Sequence, residues 1–147
     1  MRDRLLSCAT TFGTIAAIAA ATSACDLFTA PATRLDLVRV DTAEAPPIVP
    51  DTVTIGEPFE VTIPIGIGCD ELGPVRKEEY GGGIVLTPYV RVEIDPETLC
   101  PGLLRSAKHV VELTWNLEWD FKVLIYAIDV WAGVPMLLQY PVAVRTE

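Results

Sequence analysis

The chain has 147 residues, half of them hydrophobic, with four cysteines and a formal net charge of −9. That length builds one domain core and not two. Its acidity repels phosphate backbones and anionic headgroups, which argues against nucleic acid as a partner and against charge-driven docking on anionic lipid.

The first element is an export signal. Met1-Arg2-Asp3-Arg4 is a short, net-positive start, and Thr10 to Ala21 is an Ala- and Ile-rich apolar run. Small residues Thr22-Ser23-Ala24 follow, then Cys25. This is the layout of a cleaved secretory signal over residues 1–24. The apolar run is shorter than the ~20 strongly apolar residues of a spanning helix. Arg2, Asp3 and Arg4 give residues 1–24 a charge of +1, which leaves −10 on the remainder.

Thr22-Ser23-Ala24-Cys25 resembles the lipobox of bacterial lipoproteins. That resemblance implies a diacylglyceryl group on Cys25 and an acylated new amino terminus. Each buried methylene contributes about 0.8 kcal/mol, so several acyl chains make a stable anchor. The sequence departs from the motif at Thr22, where the family prefers Leu. Leu5-Leu6-Ser7-Cys8 fits the letters better but has no apolar run before it. Asp26 is similar to the inner-membrane retention signal of enteric lipoproteins. The other reading of the same residues is ordinary cleavage after Ser23 or Ala24 and a soluble secreted or periplasmic protein.

Residues 25–33 form a tether, and residues 34–147 read as one all-β domain. Leu35, Leu37 and Val40 mark a first short strand, and Glu44 to Pro50 is a Pro-rich connector. Gly56-Glu57-Pro58 signals a turn. Phe59, Val61, Ile63, Ile65, Ile67 and Cys69 then alternate with Glu60, Thr62, Pro64, Gly66 and Gly68, a period that only a strand produces. Pro64 cannot donate to a ladder, so this strand belongs at an edge or carries a bulge. Asp70 to Gly83 reads as a charged loop ending in three glycines. Ile84, Leu86, Val90, Val92 and Ile94 share a face of the next stretch, broken at Pro88. Asp95 to Ser106 is irregular, with a helical turn around Leu103 and Leu104. His109, Val111, Leu113 and Trp115 line one face of a strand, with Lys108, Glu112 and Thr114 opposite. Phe121 to Trp131 and Pro135 to Arg145 form a hairpin joined near Ala132-Gly133-Val134. About seven short strands and no helix predict a β-sandwich, with a small barrel as the other solution.

Thr54 to Thr62, with its Gly-Glu-Pro-Phe turn, resembles the opening of many bacterial immunoglobulin-like domains. The likeness covers about a tenth of the chain after the signal. It implies an immunoglobulin-like sandwich that serves adhesion, spacing or assembly, and it brings no site residues with it.

Chemistry-bearing residues are few. Cys69 and Cys100 remain once Cys8 leaves with the signal and Cys25 carries lipid. An even pair in an oxidising compartment reads as a disulfide, worth about 3–4 kcal/mol by chain closure. A metal pair would need more ligands than one histidine supplies. His109 has no nucleophile motif to serve, so it reads as a partly buried strand residue with one hydrogen bond. Asp70-Glu71, Glu78-Glu79 and Asp95-Glu97 lack the spacing of a calcium loop and read as solvated charge. Gly81-Gly82-Gly83 has no Lys or Ser/Thr of a phosphate loop. Trp115 and Trp119 read as a cap on one end of the core. From Phe121 to Trp131 both faces are apolar. Phe121, Val123, Ile125 and Ala127 lie on one face; Leu124, Tyr126, Ile128 and Val130 lie on the other. That pattern means a covered central strand or an apolar strip, with Leu124, Tyr126 and Ile128 touching a protein partner.

These observations predict a non-enzymatic, lipid-anchored protein of the bacterial cell envelope that binds or spaces another envelope component. No cofactor and no metal are implied. The alternative is a secreted inhibitor or ligand-binding module acting through loops Asp70–Gly83 and Asp95–Ser106. A hydrolase built on the acidic loops ranks third.

Overall fold

A computed structural model describes residues 33–94 and 105–146. The export signal, Cys25, most of the tether, Cys100 and the irregular segment around Leu103 lie outside the described residues. No helix occurs among the described residues. The described residues form nine strands: β1 (Thr33–Leu37), β2 (Arg39–Val40), β3 (Thr52–Thr54), β4 (Pro58–Ile67), β5 (Glu71–Tyr80), β6 (Gly83–Glu93), β7 (Arg105–Thr114), β8 (Phe121–Asp129) and β9 (Pro135–Arg145).

They form two layers. Seven strands make the large sheet, in the order β1-β6-β8-β9-β3, with β5 on β6 and β2 on β8. β4 and β7 make a two-stranded second sheet, antiparallel from Pro58↔Thr114 to Ile67↔Arg105. The architecture is all-β and sandwich-like. Its core lies between the layers: Val61 and Ile63 of β4 and Leu113 of β7 face Ile84, Leu86, Val123, Ile125 and Val142, each at most 2% exposed. Each such side chain contributes about 1.5–3 kcal/mol relative to exposure.

The period-two pattern places these faces as the sequence predicts. The inward face of β4 is buried at Val61, Ile63 and Ile65. On β7, His109 and Leu113 are buried, as is Trp115 just after it, while Lys108, Glu112 and Thr114 are exposed. Pro64 sits on an edge strand. Thr62 exchanges hydrogen bonds with Ile48 (2.8 and 3.0 Å) on the side of β4 away from β7. Pro64, two residues on, turns its missing N–H toward that same outer edge.

Two expectations are overturned. Asp70–Gly83 is not a loop: Glu71 to Tyr80 is β5, antiparallel to β6. Gly81 and Gly82 form the two-residue hairpin turn, and the register shifts between Leu72 and Val75, around Gly73-Pro74. β5 is exposed along nearly its whole length, so no apolar alternation betrays it. Nor does Pro88 interrupt the next strand; it is fully buried inside a continuous β6. The first strand, conversely, is split. β1 pairs antiparallel with the C-terminal half of β6, whereas β2 pairs in parallel with the end of β8. Val38 bridges the two: its N–H donates to Pro88 O (3.2 Å) and its carbonyl accepts from Ile128 N–H (2.9 Å). The chain thereby fills the gap that opens where β6 and β8, parallel from Gly83↔Lys122 to Leu86↔Ile125, diverge.

This order defines two ends. Thr33, Glu93 and the β8–β9 turn lie at the upper end, where β6 and β8 finish. The β5–β6 turn, the Trp115–Asp120 connection and Arg145 lie at the lower end.

Candidate functional site

The lower end is closed by aromatic packing. Trp115 follows β7 and is 4% exposed. Its indole stacks on Phe121, centroids 4.3 Å apart and planes 15° apart, and Phe121 in turn meets Phe59 at 5.9 Å. The Trp115 indole N–H donates to Trp119 O (3.1 Å), which satisfies the one polar group that burial would otherwise strand. Gly56, at φ 75°, supplies the left-handed residue of the turn before β4, and its N–H donates to Trp115 O (2.8 Å). The Gly-Glu-Pro-Phe segment is thus tied directly to the aromatic plug.

At the upper end the described residues leave a cleft of about 560 Å³ between β1, the upper half of β6 and the end of β4. Leu35, Leu37 and Val92 form apolar walls, Gly66 and Gly68 leave space, and Asp36, Arg39 and Asp70 bring charge of both signs. Beside it stands the β8–β9 turn. Asp129 Oδ1 accepts from the N–H groups of Trp131 (2.8 Å) and Ala132 (2.6 Å), Gly133 takes φ 67°, and Gly133 N–H donates to Asp129 O (2.9 Å). This turn is therefore built and held, yet Trp131 is 77% exposed. Asp41 braces it from the next loop. Its carboxylate accepts from Ala43 N–H (2.9 Å) and Glu44 N–H (3.0 Å). The Glu44 N–H, the Ala43 N–H and the Trp131 side chain hold that carboxyl below its ordinary value, against the opposing effect of desolvation.

The remaining candidate residues are scattered. His109 is buried between the layers, and its Nε2–H donates to Tyr89 O (3.1 Å). The carbonyl only accepts, so that nitrogen carries the proton. Desolvation lowers the His109 pKa from 6.5 and the Tyr89 carbonyl partly restores it. Glu71 lies 3.8 Å from Arg91, and Glu78 2.6 Å from Arg76, both pairs exposed. Asp95 and Glu97 lie outside the described residues. Among the described residues no group of three or more His, Cys, Asp or Glu is arranged to hold a metal.

Leu124, Tyr126 and Ile128 share the outer face of the large sheet. β8 is flanked by β6 and β2 on one edge and β9 on the other, so its inner face is wholly buried and its outer face partly covered. Leu124, between Val85 and Gln139 in register, is 7% exposed. Tyr126 and Ile128 are half-buried, and Leu137, opposite Tyr126, is 48% exposed. Cys69 lies just beyond β4 and is partnered; Cys100 lies outside the described residues. The sequence marks Ala132-Gly133-Val134 as a hairpin turn, and the exposed Trp131 beside it is the one local signal of a presented apolar group there.

No known family model matches this chain, and no curated protein or solved structure matches it.

Proposed function

We propose that this protein is a non-enzymatic β-sandwich lipoprotein of the bacterial envelope, held to a membrane by lipid on Cys25 after removal of residues 1–24, and that it binds or spaces another envelope component. The observation that carries this reading is the place where the chain enters the sandwich. β1 opens at Thr33 on the upper rim, so the stretch from Cys25 is a tether of at most about 29 Å. An immunoglobulin-like arrangement is the finer reading of the fold. The two-layer packing and the parallel pairing of β3 with the last strand favour it, while the parallel β6–β8 pair departs from two antiparallel sheets. A Cys69–Cys100 disulfide is supported by the last rung of the small sheet, Ile67↔Arg105, since Cys69 follows Ile67 by two residues and Cys100 precedes Arg105 by five. The outer strip of Tyr126, Ile128 and the edge of Leu124 is the proposed protein contact. The inhibitor reading loses one of its two loops, because Asp70–Gly83 is largely strand β5.

The test is non-reduced peptide mass spectrometry on protein recovered from the native envelope. The expected result is an N-terminal acylated Cys25 and a linked Cys69–Cys100 peptide. An unmodified amino terminus at Ala24 or Cys25 removes the anchor and with it this function. The contact face is tested by replacing Leu124, Tyr126 and Ile128 with alanine. A folded triple variant with unchanged oligomer mass and unchanged crosslinks would rule that face out.

A further inference from the structure

The turn Val130–Val134 has no role in the function just proposed, and three features set it apart. Val130, Trp131 and Val134 are 37%, 77% and 53% exposed. Apolar side chains at a turn that two Asp129 hydrogen bonds hold in shape are presented, not merely loose. Its position is the second feature. Thr33 pairs with Glu93 at the end of β6, and β8 starts out parallel to β6, so the turn and the root of the tether both lie past the level where those two strands diverge. Val130 N–H donates to Val40 O (3.2 Å), which joins the base of the turn to β2. The third feature is charge. Residues Val130 to Pro135 carry none, and the groups around them are of both signs: Asp129, Asp41 and Glu44, with Arg39 in register with Ile128 and Arg105 beside Asp41.

We infer that Val130, Trp131 and Val134 insert into the polar–apolar boundary of the bilayer that holds the anchor, giving the domain a second membrane contact beside the lipid on Cys25. This rests on the anchored reading above. Trp is suited to that boundary, where its ring is sheltered and its N–H stays bonded to polar groups. The turn itself carries no Lys or Arg, so insertion does not draw on anionic lipid. The contact fixes the sandwich upper end down, with Trp115 and Trp119 directed away from the membrane.

The chain's three tryptophans make the test direct. Full-length protein extracted from bacterial membranes is reconstituted into phosphatidylcholine vesicles with and without brominated acyl chains. Bromine quenches only indoles at membrane depth. The expected result is quenching in the wild type and in Trp119→Phe, lost in Trp131→Phe, and no stronger when phosphatidylglycerol is added. Quenching that survives Trp131→Phe, or none in protein whose Cys25 is shown by mass to be acylated, overturns the inference while leaving the anchor standing. If Cys25 proves unacylated the anchored reading fails. The turn is then judged by adding vesicles to the soluble protein: a blue shift that Trp131→Phe abolishes upholds insertion, and an unchanged spectrum overturns it. A photocrosslink from position 131 to a protein, without quenching, also overturns it.

Discussion

At the lower end of the sandwich Trp115 lies stacked on Phe121, its N–H satisfied and 4% of its surface exposed. At the upper end Trp131 stands on a hairpin turn at 77% exposure. Both residues follow a strand by a residue or two, and both sit beside a turn that fixes the local backbone. The difference lies in what the other layer offers. Below, the turn at Gly56 and the start of β4 bring Phe59 over the end of the core, so an indole there removes apolar surface from water on both faces. Above, among the described residues, the loop after β2 lies beside the hairpin and contributes a carboxylate at Asp41. A large aromatic is a core plug where two layers meet and a presented group where one layer projects alone.

The contrast can be broken at several points. Trp115→Ala opens a cavity at the plug and is expected to cost about 3–5 kcal/mol in urea unfolding; a cost below ~1 kcal/mol would mean the lower end is not closed by this residue. Gly83→Ala acts on the same end. A Cβ there collides with the Lys122 backbone, since Gly83 begins β6 where it pairs with β8. Overpacking of that kind costs about 1–3 kcal/mol, and a neutral substitution would show that β6 and β8 can part without loss.

Midway between the ends, His109 sharpens the picture through pH. Its folded pKa lies below 6.5 because burial disfavours the charged ring. The unfolded chain therefore binds the proton first as pH falls. Stability contributed by neutral His109 is intact above about 6.5 and declines below it until the lowered folded value is reached. His109→Gln keeps a donor for Tyr89 O and removes the titration, so its urea midpoint is expected to depend less on pH between about 7 and 5 than that of the wild type. An identical slope would assign the acid sensitivity to the carboxylates. The smallest effect belongs to the upper end: Trp131→Ala is expected to change stability by no more than about 0.5 kcal/mol. A loss comparable to that of Trp115→Ala would erase the distinction.

Local pattern carried much of the fold. The alternation from Phe59, although it fails at Cys69, which is exposed beyond the strand, places the buried face of β4 at Val61, Ile63 and Ile65 without any knowledge of its partner, because a pleated strand allows only two directions for a side chain. The same holds for His109–Trp115 and for the hairpin on either side of Gly133. The missing N–H of Pro64 allows an edge or a bulge, and the structure has the edge. What the sequence by itself determined is therefore which residues are strand and which of their faces is apolar, where one face is wet and the other dry.

Tertiary pairing decided the rest. β5 has charge on both faces and exists as a strand because Gly81-Gly82 folds it back along β6. The split at Val38 and the parallel β6–β8 pair depend on segments more than thirty residues apart in the chain. Whether the second apolar face of β8 is covered could not be read locally either. Leu124 is 7% exposed and Tyr126 half-buried because β6 and β9 flank them, and the sequence of β8 contains no trace of its neighbours. Backbone hydrogen bonds between strands are indifferent to side-chain identity, so their partners are chosen by the packing of the whole domain.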